Sequence, residues 1–245
     1  MSQPKITLHW LNASRSHRIL WLLEELGLKY DIKLYQRDKR SRAPPELFKV
    51  HPLGKSPVVE IEEEDGSKKV LAETGHIVSY LVRKFDTKGQ LSGKTEDDKE
   101  QIDYFTHYTE GSLQPILVGL FVNDVAKQQT PFGVRFLTSM IVGAINNAYY
   151  GKEALLQLQY VDDYLKKQHQ KGSKYFVGDS LTVADILMEF PLKTNLFSNP
   201  ERTSTLLGSD SLESKYPNIS EWCKFITKEP GLLRANGAIQ EKSKL

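Results

Sequence analysis

Two short stretches carry residue types that could hold a ligand with carboxylate groups. Glu73-Thr74 stand between a predicted strand at 69–72 and a helical pattern. A helix N-terminus has free N–H groups and partial positive charge, so it binds carboxylates well, and Thr74 adds a hydroxyl donor. The alternative is that Thr74 only caps its own helix. The second stretch, residues 51–57, contains Lys55, whose ammonium is a good point-charge partner for a carboxylate.

The elements that must position these residues follow from the spacing of apolar side chains. Alternation predicts strands, and helical spacing predicts helices. The predicted strands cover 5–11, 30–35, 57–61 and 69–72, and the predicted helices cover 19–26, 44–50 and 74–85. Gly27 is typical of a helix end, and Asp65-Gly66 is typical of a hairpin turn. The order β-α-β-α-β-β-α, with a parallel first pair of strands, is that of a thioredoxin-like domain.

The rest of the chain is predicted to be all-helical. Residues 87–97 have the composition of a linker, which sets the predicted boundaries at 1–86, 87–97 and 98–245. Helical patterns cover 98–127 with a kink at Pro115, 132–148, 152–169, 182–197 and 217–228. Thr182 and Asp185 have the spacing of a capping box. The segment after Pro230 is polar, and a mobile tail is predicted there.

Composition and charge exclude several classes of function. Lys and Arg number 33 against 31 Asp and Glu, so the net charge of +2 indicates no nucleic-acid partner and no anionic-membrane partner. The one cysteine, Cys223, permits no internal disulfide, and the six histidines lack metal-site spacing. No apolar run reaches the ~18–20 residues of a membrane span. We therefore expect a globular protein of a reducing compartment with no bound metal.

The last three residues give an expectation about location. Ser243-Lys244-Leu245 match the peroxisomal address that a soluble import receptor reads at a C-terminus. The preceding Glu241-Lys242 keep this segment polar and accessible to such a receptor. A peroxisomal location is therefore expected, and the cytoplasm is the alternative.

Longer motifs carry a resemblance that spans nearly the whole chain. They are Ser14-Arg15-Ser16, Arg18-Ile19-Leu20-Trp21-Leu22-Leu23-Glu24-Glu25-Leu26, Gly54-Lys55-Ser56-Pro57, Glu73-Thr74 and Glu110-Gly111-Ser112-Leu113-Gln114-Pro115. With these motifs the sequence resembles the glutathione S-transferase family, in particular its fungal and bacterial serine-type members, the yeast type. Each piece alone is a weak signal, and the combination is specific. The resemblance implies a thioredoxin-like N-terminal domain followed by an all-helical C-terminal domain.

The same resemblance implies a site for glutathione, which would serve as co-substrate, and no other cofactor. The bond before Pro57 is expected to be cis, with the cysteinyl unit of glutathione paired to the backbone of Ser56. Glu73 and Thr74 are expected to hold the ammonium and the carboxylate of the γ-glutamyl end. Two more candidates, for the glycyl carboxylate, are Lys55 and His51, the second of which fits a structural role equally well.

The sulfur of glutathione would need a group that lowers its pKa from ~8.5, because the thiolate is the nucleophile. A hydrogen bond donated to the sulfur favours the thiolate, and Ser14 stands four residues before Arg18, as the catalytic serine does in serine-type transferases. Asn12, whose amide could donate, is the second candidate, and Ser16 is the third. Arg18 could face the thiolate or the carboxylates, although a structural ion pair is the favoured alternative.

The first helix of the C-terminal half is expected to bind the second substrate. Tyr104 and Tyr108 are four residues apart and share a helix face, and by family position this face lines the pocket. Packing in the core is an equal alternative. His107 on a neighbouring face could reach a polar co-substrate. The resemblance also implies a homodimer, with Arg83 and Lys84 near its two-fold surface.

Three functions remain open at this point. The first is conjugation, a detoxification chemistry in which the glutathione thiolate attacks a hydrophobic electrophile. The second is glutathione-dependent disulfide or peroxide reduction with two glutathione molecules. The third is a non-catalytic interaction module, which the presence of Ser56-Pro57 and Glu73-Thr74 disfavours.

Overall fold

The computed structural model describes residues 3–243 and divides into two compact units. The first unit contains the chain up to Thr95 together with the segment from Thr227 onward, and the second runs from Glu96 to Ile226. Lys244 and Leu245 of the predicted peroxisomal address lie outside the described residues. The predicted domain boundaries placed the C-terminal segment with the helical half, whereas its contacts place it with the first unit.

A four-stranded sheet forms the centre of the first unit, in the order β2-β1-β3-β4. The strands are β1 (Lys5–Leu11), β2 (Asp31–Tyr35), β3 (Val58–Glu62) and β4 (Lys68–Ala72). β1 pairs with β2 in parallel and with β3 in antiparallel, and β3 pairs with β4 in antiparallel. The predicted thioredoxin-like order is confirmed, with strand ends within a residue of prediction.

The α-helices follow in chain order and belong to both units. They are α1 (Ser16–Glu25), α2 (Thr74–Phe85), α3 (Glu96–Tyr108), α4 (Gln114–Gln129), α5 (Arg135–Ile145), α6 (Gly151–Gln170), α7 (Val183–Glu189), α8 (Pro200–Leu207), α9 (Leu212–Lys215), α10 (Pro217–Ile226) and α11 (Pro230–Lys242). Short 3₁₀ turns cover Pro45–Lys49 and Phe132–Val134, and π-helical segments cover Thr109–Leu113, Asn146–Tyr150 and Phe190–Phe197. The predicted helix at 44–50 is therefore a 3₁₀ turn.

The first helix, α1, ends as its sequence predicts. Gly27 adopts a φ of 62°, and its N–H donates to the Glu24 carbonyl at 3.1 Å. The N–H of Leu28 donates to the Leu23 carbonyl at 3.1 Å, which completes the closing pair of bonds of a Schellman motif. This turn directs the chain from the helix into β2.

The C-terminal segment is a helix, α11, which corrects the expectation of a mobile tail. Arg234 Nε lies 2.9 Å from a Glu24 carboxylate oxygen, and Asn236 Oδ1 lies 2.9 Å from His17 Nε2. Leu232 and Ala235 are buried beneath the polar outer face. Few residues of α11 are apolar, so its sequence resembles a polar tail. The helix nevertheless packs on α1.

Among residues 96–226, the second unit contains helices joined by turns and no strand. The long pattern predicted for 98–127 is interrupted by the π-helical segment at Thr109–Leu113, directly before Pro115. Thr182 forms the predicted capping box with Asp185. Sequence patterns missed the short helices α8 and α9. Among residues 3–243, no helix is long and apolar enough to cross a membrane, and no group of metal-binding side chains is assembled.

Candidate functional site

The pairing register brings three loops together at one end of the sheet. Val58, the first residue of β3, pairs with His9 of β1 and with Ala72, the last residue of β4. Ser56-Pro57 therefore enter the sheet where Glu73-Thr74 leave it, next to the end of β1. The loop after β1 begins there with Asn12. The sheet end thus assembles Ser56, Pro57, Glu73, Thr74 and Asn12, whereas Arg18 lies on α1.

Ser56 presents an unused length of backbone at this end. The Ser56–Pro57 peptide bond is cis, as the resemblance implied. The Ser56 hydroxyl donates to the His9 carbonyl at 2.8 Å, which fixes the residue against β1. Within residues 3–243, neither the N–H nor the C=O of Ser56 makes a hydrogen bond. Both groups are therefore available to an extended peptide, as at the edge of a sheet.

Glu73 and Thr74 form an uncapped start to α2. Glu73 occupies the N-cap position with a φ of 67°, and its side chain makes no capping hydrogen bond. Thr74 is the first helical residue and is buried, which contradicts the alternative that it caps its own helix. Among the residues described, its hydroxyl and the Glu73 carboxylate have no hydrogen-bond partner. The N–H groups at this terminus therefore remain open to an anion.

The loop before Ser56 separates the roles of His51 and Lys55. The Leu53 N–H donates to His51 Nδ1 at 3.3 Å, and the Gly54 N–H donates to the His51 carbonyl at 2.9 Å. Gly54 has a φ of 56° and faces the Phe48 ring, where a side chain would clash. His51 therefore shapes the turn, as its structural alternative requires. Lys55 is exposed, so its ammonium can reach a carboxylate.

The two serines of the loop after β1 use their hydroxyls within the protein. Ser14 Oγ donates to the Leu11 carbonyl at 2.7 Å and lies 2.7 Å from Ser16 Oγ. Ser16 Oγ accepts the Leu11 N–H at 3.2 Å, and both side chains are buried. These bonds tie the loop to the end of β1. In this conformation both acceptors near the Ser14 hydroxyl, the Leu11 carbonyl and Ser16 Oγ, lie within the protein.

Asn12 keeps a free donor in the same loop. The Arg37 N–H donates to Asn12 Oδ1 at 2.8 Å, which identifies this atom as the oxygen and leaves the NH₂ group on the other side. No other residue described takes up that NH₂ group. The half-exposed Asn12 side chain is therefore a fixed amide with its donors available.

Arg37 is a residue that sequence reasoning missed. Its guanidinium donates to the backbone carbonyls of Asn12, Ala13 and Ser41, at 3.1, 3.3 and 2.9 Å. Burial lowers the pKa of Arg37 from its usual value. The basic stretch around Arg37 predicts only a loop. Nothing in the local sequence shows that Arg37, rather than a neighbouring cation, contacts the loop after β1. Arg18 of α1, by contrast, has no exposed surface, which favours its structural alternative.

The candidate second-substrate residues lie on α3 of the helical unit and differ in exposure. Tyr104 is 43% exposed, and its ring stacks on that of Tyr108 at a centroid distance of 5.7 Å. Tyr108 is buried, and burial raises the pKa of its hydroxyl, which has no partner among the residues described. Tyr160 of α6, which the sequence did not single out, closes the cluster at 5.5 Å from Tyr108. His107 is exposed beside Asp103, 3.6 Å away.

The described residues form a thioredoxin-like unit, with Ser56 and the start of α2 at one end of its sheet, followed by a helical unit. Comparison with known proteins gives its family. The family model of the glutathione S-transferase N-terminal domain matches residues 4–83, and that of the C-terminal domain matches residues 147–230. The chain belongs to the glutathione S-transferase family and is an enzyme of that family.

Individual relatives align with this chain over nearly its full length. The chain is 40% identical over 234 residues to Glutathione S-transferase 1 of Saccharomyces cerevisiae, covering 94% of this chain and 93% of the relative. It is 34% identical over 239 residues to Glutathione S-transferase 3 of Schizosaccharomyces pombe, covering 97% and 89%. The crystal structure of a glutathione S-transferase from Actinobacillus pleuropneumoniae matches with a TM-score of 0.69 at 29% identity, covering 95% of this chain and 92% of that chain.

Proposed function

We propose that the sheet end binds glutathione in an extended form. The cysteinyl unit pairs with the free backbone groups of Ser56, beside Pro57. The γ-glutamyl carboxylate occupies the start of α2 and accepts from the Thr74 hydroxyl, with its ammonium near Glu73. Lys55 receives the glycyl carboxylate. The observation that carries this proposal is the uncapped start of α2, where a buried hydroxyl and open N–H groups have no internal partner.

At the sulfur, we place Asn12 ahead of Ser14 as the group that stabilises the thiolate. The Asn12 amide is held through its oxygen and keeps two free N–H bonds, whereas the Ser14 hydroxyl donates to the Leu11 carbonyl. A donor aimed at the sulfur favours its charged form and lowers its pKa. For Ser14 to serve instead, its proton would have to leave that carbonyl.

The reaction that fits best is conjugation. The thiolate forms a C–S bond to an electrophilic carbon, and the leaving group departs with the bonding electron pair. The cluster of Tyr104, Tyr108 and Tyr160 supports this reaction, because an aromatic wall suits an apolar substrate. Disulfide reduction with a second glutathione is the alternative, supported by the exposed polar pair His107–Asp103 on the same helix.

Two measurements test these proposals together. Titration calorimetry with glutathione is compared for wild type, Thr74→Val and Thr74→Ser. A lost hydrogen bond to a carboxylate costs about 1.5–3 kcal/mol, so we expect the valine variant to bind about 10- to 150-fold more weakly and the serine variant to bind normally. Equal binding by all three would place the ligand elsewhere. Chlorodinitrobenzene conjugation and hydroxyethyl disulfide reduction are then assayed side by side, and activity on the disulfide alone would rule out conjugation.

We also propose that the protein is a homodimer, and an exposed apolar surface on α4 and α5 supports this. The apolar hairpin face consists of Val118, Val122, Phe132, Val134, Phe136, Leu137, Met140, Ile141 and Ile145, all more than 40% exposed. Exposed apolar side chains gathered on one helical hairpin favour a surface that a partner covers, because on a monomer such side chains are usually scattered singly.

The exposure of α5 supports this proposal, because most of its apolar side chains face solvent. Val142 is its one buried residue, Ser139 and Gly143 are half-buried, and Phe136 and Met140 are exposed. A second copy of the chain fits this surface better than a lipid bilayer. Stable attachment to a bilayer needs a basic cluster as well as apolar area. The Arg135 guanidinium beside this surface donates to the backbone carbonyls of Gln128 and Thr130, so it does not face outward as part of such a cluster.

Light scattering coupled to gel filtration tests the dimer. We expect the mass of two chains for wild type and for the exposed control variant Gln129→Glu, and the mass of one chain for Met140→Glu. If Met140→Glu stays dimeric and an Arg83→Glu Lys84→Glu variant becomes monomeric, the interface lies at the surface expected from the family. A monomeric wild type would contradict the proposal.

A further inference from the structure

His9 is a buried histidine of β1 whose two ring nitrogens are both occupied. Its side chain has no exposed surface. Nδ1 lies 2.8 Å from the Tyr35 hydroxyl, and Nε2 lies 2.9 Å from a carboxylate oxygen of Glu60. Tyr35 belongs to β2 and Glu60 to β3, so the ring joins the strands on either side of its own. We call these three residues the His9 cluster.

The chemistry of the partners fixes the form of the ring. A carboxylate only accepts, so Nε2 carries the proton that is donated to Glu60, and Nδ1 accepts from the Tyr35 hydroxyl. Burial lowers the pKa of His9, which favours the neutral ring, and the hydrogen bond from His9 lowers the pKa of Glu60. Lys33, 3.6 Å from Glu60, is the charged group that faces the cluster from β2. Neutral histidine and ionised glutamate therefore match the observed distances.

The backbone of the same cluster holds two parts of the proposed glutathione site. The His9 carbonyl accepts from the Ser56 hydroxyl at 2.8 Å, and the Tyr35 carbonyl accepts the Asn12 N–H at 3.2 Å. Ser56 would bind the cysteinyl backbone, and Asn12 would face the cysteinyl sulfur. The hydrogen bond between His9 and Tyr35 thus fixes the strand ends that carry these two groups.

We infer that His9 is a positioning residue of the enzyme, which with Tyr35 and Glu60 holds Ser56 and Asn12 at the separation that one bound cysteinyl unit requires. The inference rests on the proposed glutathione site. It assigns no contact between His9 and the ligand. The effect reaches the site through the two backbone carbonyls, so a change in the cluster should alter the placement of the thiol more than the stability of the fold.

Tyr35→Phe is the informative variant, because it removes one hydroxyl and leaves the ring. We expect the KM for glutathione to rise about three- to tenfold, because one net hydrogen bond is lost. We also expect the pKa of the bound thiol to rise, which the ultraviolet absorbance of the thiolate measures. Glu60→Gln keeps an acceptor for His9 and should retain most of the binding. Lys29→Gln is the surface control, since its exposed side chain lies outside the cluster, and it should leave the KM and the thiol pKa unchanged.

A readout without ligand separates this inference from the glutathione proposal. In the unliganded protein, Tyr35→Phe should shift the backbone amide signals of Asn12 and Ser56 in nitrogen–proton correlation spectra, and Lys29→Gln should not. Unmoved signals, or an unchanged thiol pKa and KM in a folded Tyr35→Phe protein, would overturn the positioning role. If wild type binds no glutathione but the signals shift, the glutathione proposal fails and the structural coupling stands.

Discussion

Replacement of Asp185 should destabilise the helical unit rather than stop catalysis. This carboxylate is completely buried and accepts four hydrogen bonds. Oδ1 accepts from the Phe176 N–H at 2.8 Å and from Trp222 Nε1 at 3.3 Å. Oδ2 accepts from the Thr182 N–H and from the Thr182 hydroxyl, both at 3.1 Å. One side chain thus connects the start of α7 to the preceding loop and to α10.

The magnitude follows from these bonds. Asp185→Ala leaves three buried N–H donors without an acceptor, each at ~1–3 kcal/mol. Burial of the ionised carboxylate already costs the native state about 3 kcal/mol, since its pKa is raised from 3.8 to about 6. The alanine variant should therefore lose about 3 kcal/mol near pH 7, which lowers the melting temperature by about 6–12 °C for a chain of this size. Asp185→Asn keeps one acceptor oxygen, so its free energy of unfolding should fall by about half as much as that of the alanine variant.

The raised pKa of Asp185 also gives the sign of a pH effect. A folded-state pKa above the unfolded value means that the native chain binds more protons between about pH 4 and about pH 6. This carboxyl therefore favours folding at the lower end of that window, and its contribution is lost as the pH rises through about 6. The slope should be absent in Asp185→Asn.

Thermal unfolding by circular dichroism, repeated at several pH values, measures both effects. Conjugation rates are measured at a temperature where each variant is folded. We expect kcat per folded molecule to stay within about threefold of wild type, because no part of this network belongs to the proposed site. An Asp185→Asn protein with an unchanged melting temperature and no turnover would refute the reasoning and make Asp185 a catalytic group.

Three further predictions follow from the first unit. Asn12→Ala should raise the pKa of the glutathione thiol, measured by thiolate absorbance, and lower kcat near pH 7 about tenfold. Ser14→Ala should mainly lower the melting temperature, measured by calorimetry. Arg37→Met should lower kcat/KM for glutathione in steady-state assays, because three carbonyl contacts of the neighbouring loops are lost. Gly27→Ala should lower the melting temperature by about 2–4 °C without changing kcat, since a φ of 62° costs a residue with a side chain ~1 kcal/mol.

Local patterns were sufficient for much of the first unit. Strand alternation, the Gly27 helix end and the hairpin turn at Asp65-Gly66 are properties of short segments, and the structure reproduces them. The family resemblance names Ser56 and Glu73 as candidates, and the structure places both at junctions of those segments. The capping box at Thr182 is a contact between residues three apart, so its spacing alone predicts it.

The features that escaped prediction depend on contacts between distant parts of the chain. Arg37 is one cation in a basic loop, and only the fold turns it toward Asn12. The helix α11 has few buried residues, and its partner lies some 200 positions earlier, as the Arg234–Glu24 pair shows. The exposure of the apolar residues of α5 could not be predicted, because a sequence pattern does not show whether an apolar helix face points to the core or to solvent.

The π-helical segment at Thr109–Leu113 has a consequence for how this family changes by insertion and deletion. The Gln114 N–H donates to the Thr109 carbonyl five residues back, so this turn holds one residue more than an α-helical turn. Removal of Gly111 would therefore restore a continuous α-helix in which Tyr104 and Tyr108 keep nearly the same direction relative to α4, because the wide turn holds its extra residue within one turn. A single-codon deletion here should leave the aromatic cluster in place, and relatives with a one-residue gap at this point should present the same helix face.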